Sequence, residues 1–274
     1  MAQRPLMHLM EAKRPRPRVY WHAWSVPRPG AARPEGGTLS TRWMFRTVGE
    51  ATAAQWDWEQ GAPDPRRLIS VRRPASDSMS RHVPVRMHSF TVDGVLALES
   101  GLEYDLVRAL DREREVSWIV AQPCRLVWAV KEAHIPDVLS VDAHGVVTIW
   151  DARPERRVDE RFLQVAEVTR RACDDVGWRY EVFHGWRNAK RLNLVWLHSF
   201  RREPAWYDQV RPDVARRVMG DRASSIGELL RADDPRGLLM STVWHMIWRG
   251  DLEVDLDAPL TAATSVRART EAAL

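Results

Sequence analysis

With 274 residues, 45% of them apolar, the chain can bury a sizeable core as one large domain or two smaller ones. No apolar run approaches the roughly 20 residues of a membrane span, which argues against a transmembrane helix. A formal charge of +4 is too small to establish a nucleic-acid partner by itself. The kind of cation is more informative: only Lys13, Lys131 and Lys190 are lysine. Arginine suits bidentate phosphate contact, although a GC-rich coding bias produces the same composition.

Residues 1–40 are rich in Pro, Arg and Gly without periodicity and read as a disordered or mobile basic arm. They contain no continuous apolar segment of signal-peptide type. Cys124 and Cys173 lie far apart in apolar surroundings, which implies buried thiols rather than a zinc site or a disulfide framework. Together these features give the expectation of a soluble, cytoplasmic protein. Residues 41–82 form an N-terminal extension with scattered aromatics (Trp43, Phe45, Trp56, Trp58) and a candidate strand at 67–72.

From residue 83 to about 200 the pattern sharpens into an α/β core with a mixed sheet flanked by helices. Residues 83–90 alternate as a strand, and 95–98 form a second apolar run. Ser100 is placed to cap a helix through Leu102, Leu106, Val107 and Leu110, with Glu103 in its first turn. Residues 116–121 and 126–130 read as two strands joined across 122–125. A hairpin comes next, turning at Asp142-Ala143-His144-Gly145. Residues 159–176 form an amphipathic helix that Gly177 ends, and 178–183 return as a strand. After 200 the character is mainly helical: 204–219, then 226–231 behind a Ser224 or Ser225 cap, then a helix from Pro235 to Gly250. Two short alternating stretches, 252–256 and 261–267, succeed these helices. Helices closed by a short hairpin are similar to a winged-helix module over 201–274.

The chemistry concentrates on the hairpin. Asp137, at the start of one strand, and Asp151, at the end of the next, come together when the chain folds at Gly145. Paired carboxylates suit Mg²⁺, which prefers oxygen donors in an octahedron. Arg153, two residues on and on the same strand face, can approach a phosphate or the attacking water. Gln122 is weighed as a satisfied turn residue or as a contact to phosphate. His134, three residues before Asp137, is assigned a supporting rather than a ligating role. The chain has no Walker A loop and no nucleophile elbow, so neither a P-loop ATPase nor an α/β-hydrolase is supported.

Several segments carry a resemblance: Glu99-Ser100-Gly101-Leu102-Glu103, Gln122-Pro123, His134-Ile135-Pro136-Asp137, Trp150-Asp151-Ala152-Arg153-Pro154 and Ala172-Cys173-Asp174-Asp175-Val176-Gly177-Trp178. Residues 86–200 resemble the TnsA-like endonuclease subunit of heteromeric transposases, in the PD-(D/E)xK nuclease superfamily. Residues 252–259 are similar to the end of that family's winged-helix C-terminal domain. The resemblance implies a restriction-endonuclease-like core and metal-dependent cleavage of one DNA strand at each transposon end. It implies Mg²⁺, with Mn²⁺ as a substitute, held by Glu103, Asp137, Asp151 and the backbone carbonyl of Ala152. Its implied partners are double-stranded DNA, a DDE-type transposase and an AAA+ ATPase. Arg153 stands where lysine is usual, and arginine stays protonated. A catalytically degenerate assembly subunit and a stand-alone restriction or repair nuclease are the alternatives.

Overall fold

In the computed structural model the described residues are 41–72, 85–129, 132–218 and 224–269, so the basic arm expected over 1–40 lies outside them. The first described segment forms β1 (Arg42–Thr47), in which Trp43 and Phe45 are buried on either side of a less buried Met44, then β2 (Ala54–Gln55) and β3 (Leu68–Ile69). Next come the hairpin β4 (Val85–Ser89) and β5 (Gly94–Leu98), then helix α1 (Gly101–Arg112). The strands β6 (Val116–Ala121), β7 (Cys124–Ala129), β8 (Glu132–His134), β9 (Val138–Asp142) and β10 (Val147–Ala152) lead to helix α2 (Glu160–Asp175) and strand β11 (Arg179–Phe183). The rest is α3 (Asn188–Leu197), α4 (Tyr207–Val218), β12 (Ser224–Ser225), α5 (Ile226–Arg231), α6 (Leu238–Arg249), β13 (Leu252–Glu253) and β14 (Ser265–Ala268). The protein is therefore mixed α/β, with several small sheets and six helices among the described residues. None of those helices is long and apolar enough to cross a membrane.

A four-stranded sheet in the order β11-β10-β9-β6 carries the centre of the structure. Strands β6, β9 and β10 are antiparallel neighbours, while β10 and β11 run parallel. Parallel strands need a crossover, and α2 supplies it. Asp159 caps α2 by accepting the N–H of Phe162 at 2.8 Å, and Gly177 leaves the helix at a left-handed φ of 74°. Strands β6 and β7, expected as a joined pair, belong to different sheets. The turn between them is tight, Gln122-Pro123, and Gln122 takes a positive φ of 47°. That turn throws β7 away from β6 and onto β1, with Phe45 opposite Cys124. The resulting five-stranded sheet runs β2-β1-β7-β8, with β3 also pairing to β1.

This pairing gives the aromatics of residues 41–72 their place. Trp43 and Phe45 are buried beside Leu139, Ile149, Cys173 and Trp178, in one cluster with the strands and the helix of the central sheet. Trp43 meets Trp178 edge-on at 5.3 Å between ring centroids. Both cysteines are fully buried, and burial raises both thiols above their ordinary range.

A second core gathers α3 to α6 with β13 and β14. Helix α3 has no counterpart in the expected elements. Its apolar positions Leu194 and Leu197 are buried, but Leu192, Val195 and Trp196 are exposed, so the one-sided periodicity that marks a buried helix is weak. The three-stranded sheet β12-β14-β13 closes this half. Arg112 at the end of α1 donates to the carbonyl of Ile247 in α6 at 3.2 Å, and Arg114 pairs with Asp251.

His198, just after α3, packs edge-on against Trp248 and Tyr104, with its Nε2 buried and unpartnered among the described residues. Burial, helped by the charges of Arg201 and Arg108, holds this imidazole down to about 4, against an ordinary value of 6.5. A depressed histidine favours the fold above 6.5, and that contribution is lost as pH falls from there through about 4. His198→Phe keeps the ring packing and removes the titration. Thermal melts at pH 7 and pH 5 should show a smaller acid-induced drop in Tm for the variant than for wild type; equal drops would disprove the assignment.

Candidate functional site

Asp137 sits one residue before β9, and its main chain is bonded on both sides. Its N–H donates to Trp150 of β10 at 3.0 Å, and its carbonyl accepts from Gln122 at 2.7 Å. The hairpin register, with Val138 opposite Trp150, then sets Asp137 beside the end of β10, where Asp151 and Ala152 lie. The N–H of Ala152 donates to Asp137 Oδ2 at 2.7 Å, while Oδ1 makes no hydrogen bond among the described residues. The hairpin thus brings the two aspartates together as expected from the turn at Gly145, which takes a φ of 80°.

Glu103 reaches the same place from α1. Ser100 caps the helix by accepting the N–H of Glu103 at 3.1 Å. In return, the Glu103 carboxylate accepts the Glu99 N–H and the Ser100 hydroxyl, both at 2.8 Å. This carboxylate is 5% exposed and is already serving its own helix terminus.

Asp151, 3% exposed, is held more tightly still. His134 Nε2 lies 2.9 Å from both of its oxygens, and the Tyr180 hydroxyl donates to Oδ2 at 2.5 Å. His134 therefore faces the acids, with Ile135 and Pro136 lying outside the strands between it and Asp137. Tyr180 is a contact that sequence reasoning missed. It depends on the parallel register that places Tyr180 opposite Ile149, and no local pattern encodes that register. Gln122 is 1% exposed, and its Oε1 accepts the Ser70 hydroxyl at 3.0 Å. Its place is beneath the site, where its main chain fixes Asp137.

The electrostatics of this corner are unfavourable to negative charge. Burial, then the charges of Asp151 and Glu103, push the Asp137 carboxyl well above the usual carboxylate range, against the opposing pull of the Ala152 N–H. Burial also raises Glu103, although its two hydrogen bonds resist this. Tyr180 is raised by burial and by the adjacent Asp151.

These acids share a cleft of about 630 Å³ lined by the N-terminal end of α1, by His134, by the end of β10 and by the start of α2. Arg153 also lines it, but the guanidinium is committed elsewhere. Its Nε donates to the carbonyl of Arg157 at 2.7 Å, its Nη2 lies 3.5 Å from Asp159, and its charge sits 5.1 Å from the centre of the Phe162 ring. Arg157 and Arg161 line the cleft as well, and neither forms an ion pair with a carboxylate among the described residues. No family model matches the chain, and no curated protein matches it either.

A divalent cation fits the donor chemistry here: of the five acidic residues lining the cleft, Glu103, Asp137 and Asp151 repel one another at its acid corner, which favours a positive charge among them, and Asp137 keeps one oxygen free of hydrogen bonds. As placed, no group of three or more His, Cys, Asp or Glu side chains among the described residues closes into a coordination shell. The reason is that Asp151 and Glu103 are drawn onto protein donors, the first by His134 and Tyr180 and the second by its own helix cap. Asp137 gives a direct test. A carboxyl raised in the fold carries no penalty below its ordinary 3.8, and the fold loses stability as pH climbs from there towards the shifted value. Asp137→Asn should therefore melt higher than wild type in metal-free buffer at pH 7, each kcal/mol regained adding about 2–4 °C. The gain should vanish on acidification below the carboxylate range, and added Mg²⁺ should narrow it by stabilising only wild type. A variant that melts at or below wild type throughout would contradict a repulsion among these acids.

Proposed function

We propose that the chain is the endonuclease subunit of a heteromeric DNA transposase, of the TnsA-like kind, cutting one strand at each transposon end by metal-dependent phosphodiester hydrolysis. The observation that carries this reading is the convergence of Glu103, Asp137 and Asp151, from α1, the start of β9 and the end of β10, on one cleft. The mixed sheet β11-β10-β9-β6, with α1 before it and α2 crossing over it, supports a restriction-endonuclease-like core. Three helices closed by β13 and β14, with β12 at the sheet edge, support a winged-helix reading of the C-terminal half.

On this reading Asp137, Asp151, Glu103 and the carbonyl of Ala152 hold Mg²⁺ or Mn²⁺. The bound metal supplies a water of lowered pKa and neutralises the scissile phosphate. Asp137 offers its open Oδ1. His134 and Tyr180 orient the Asp151 carboxylate, as outer partners of a metal ligand do. Arginine cannot act as a base at neutral pH, so Arg153 takes no proton from the attacking water. The DDE-type transposase that cuts the other strand and the AAA+ ATPase that regulates both belong to the same proposal.

A specific observation favours a second reading, a non-catalytic assembly subunit. Helix α6 has no exposed residue, with Val243, Met246 and Ile247 buried, so it presents no face to a DNA groove. The C-terminal half is built for packing rather than for base readout by that helix. The two readings part in one assay. Purified chain with its partner transposase and end DNA should nick in Mg²⁺, and Asp137→Ala should abolish nicking while retaining a cooperative melt. Nicking that survives Asp137→Ala removes the site assignment. Transposition left intact by Asp151→Ala favours the assembly subunit.

A further inference from the structure

We infer that the cations meeting the substrate phosphates are Arg157 and Arg161, and that Arg153 is a structural clamp. The inference rests on the nuclease reading and specifies which side chains bind the strand in that same cleft. Arg153 holds the segment between β10 and α2 closed. Its three contacts, to the Arg157 carbonyl, to Asp159 and to the Phe162 ring, all lie on that segment or on the first turn of α2, and none is made to Glu103, Asp137 or Asp151. The clamp also orders the chain beyond it. By binding the carbonyl of Arg157 it fixes the short turn Glu155–Arg157, and by binding Asp159 it fixes the residue that caps α2.

Arg157 and Arg161, four residues apart on either side of that cap, both line the cleft, and both are exposed. Neither has a carboxylate partner among the described residues. Of the acids nearest in sequence, Glu155 and Glu160 are not part of the cleft lining, and Asp159, which is, caps α2 and pairs with Arg153 rather than with either arginine. A free guanidinium presents a planar fork that matches phosphate oxygens. One wall of the cleft therefore carries Glu103, Asp137 and Asp151, and the wall formed by the start of α2 carries two uncommitted arginines beside Asp159, which Arg153 engages. A sugar-phosphate strand laid between them has its scissile phosphate at Asp137 and flanking phosphates at the arginines.

The test is salt-dependent binding of a labelled DNA duplex by the full chain carrying Asp137→Ala, without divalent metal. That background prevents cleavage and removes one repelling charge. Arg157→Ala and Arg161→Ala should each weaken binding and lower the slope of log affinity against log salt by about 0.9, the value for one phosphate contact on B-form DNA. Arg157→Lys and Arg161→Lys should restore most of the slope. Arg153→Ala should lower Tm, as the loss of a clamp requires, and should take less from the slope than either alanine variant at 157 or 161. A slope that falls with Arg153→Ala as far as with the alanine variants at 157 and 161, or that stays unchanged in both of those variants, overturns the inference. Failure of the nuclease reading looks different: duplex binding depends on Arg157 and Arg161, yet the wild-type chain with its partner never nicks in Mg²⁺.

Discussion

The antiparallel pairing of β9 with β10 is the constraint around which the candidate site is arranged. Its register puts Asp137 at the mouth of one strand and Asp151 at the end of its neighbour, and a shift of one residue would turn one acid to the opposite face. The surrounding bonds hold that register. The N–H of Asp137 extends the ladder to Trp150, its carbonyl is held from the other side by Gln122, and its carboxylate closes on the Ala152 N–H. Residues far apart in sequence are thereby committed to fixing one carboxylate. An Asp placed at a loose strand end would need none of this, since it could turn its charge to water.

Charge repulsion is the cost of that arrangement. Carboxylates gathered in a half-dry corner oppose one another's ionisation, and the protein eases this with donors: His134 and Tyr180 on Asp151, Ser100 and the Glu99 N–H on Glu103. Each donor brings positive potential up to a carboxylate oxygen. Arg153, the nearest full cation by sequence, is instead drawn towards Asp159 and Phe162. The result is a corner that remains short of positive charge, bordered by arginines one helical turn further along.

The local features of this site were legible in the sequence because each is set by near neighbours. Ser100 before an apolar period of about 3.6 gives α1, Gly145 gives the turn, and Asp159 and Gly177 bound α2 within a residue of where the structure has them. What was not legible is long-range. The pairing of β1 with β7 joins residues that no window contains. Tyr180 meets Asp151 only through a parallel register that the crossover length permits but does not dictate. The direction of the Arg153 side chain was equally hidden. The spacing placed it on the face of Asp151, and the competing partners sit on a turn whose shape the sequence does not reveal. Helix α3 was missed because its exposed Leu192, Val195 and Trp196 blur the pattern that marks a buried stripe.

The edge-on contact of Trp43 with Trp178 has a consequence for how the chain is made. Synthesis runs from the N-terminus at about 5–20 residues per second, so the first strand emerges roughly ten seconds before its aromatic partner exists. Throughout that interval Trp43, Phe45 and their neighbours Trp56 and Trp58 have no finished cluster to enter. A nascent chain of this kind is most vulnerable early, when Trp43 is already outside the ribosome and Trp178, just ahead of β11, has yet to be translated.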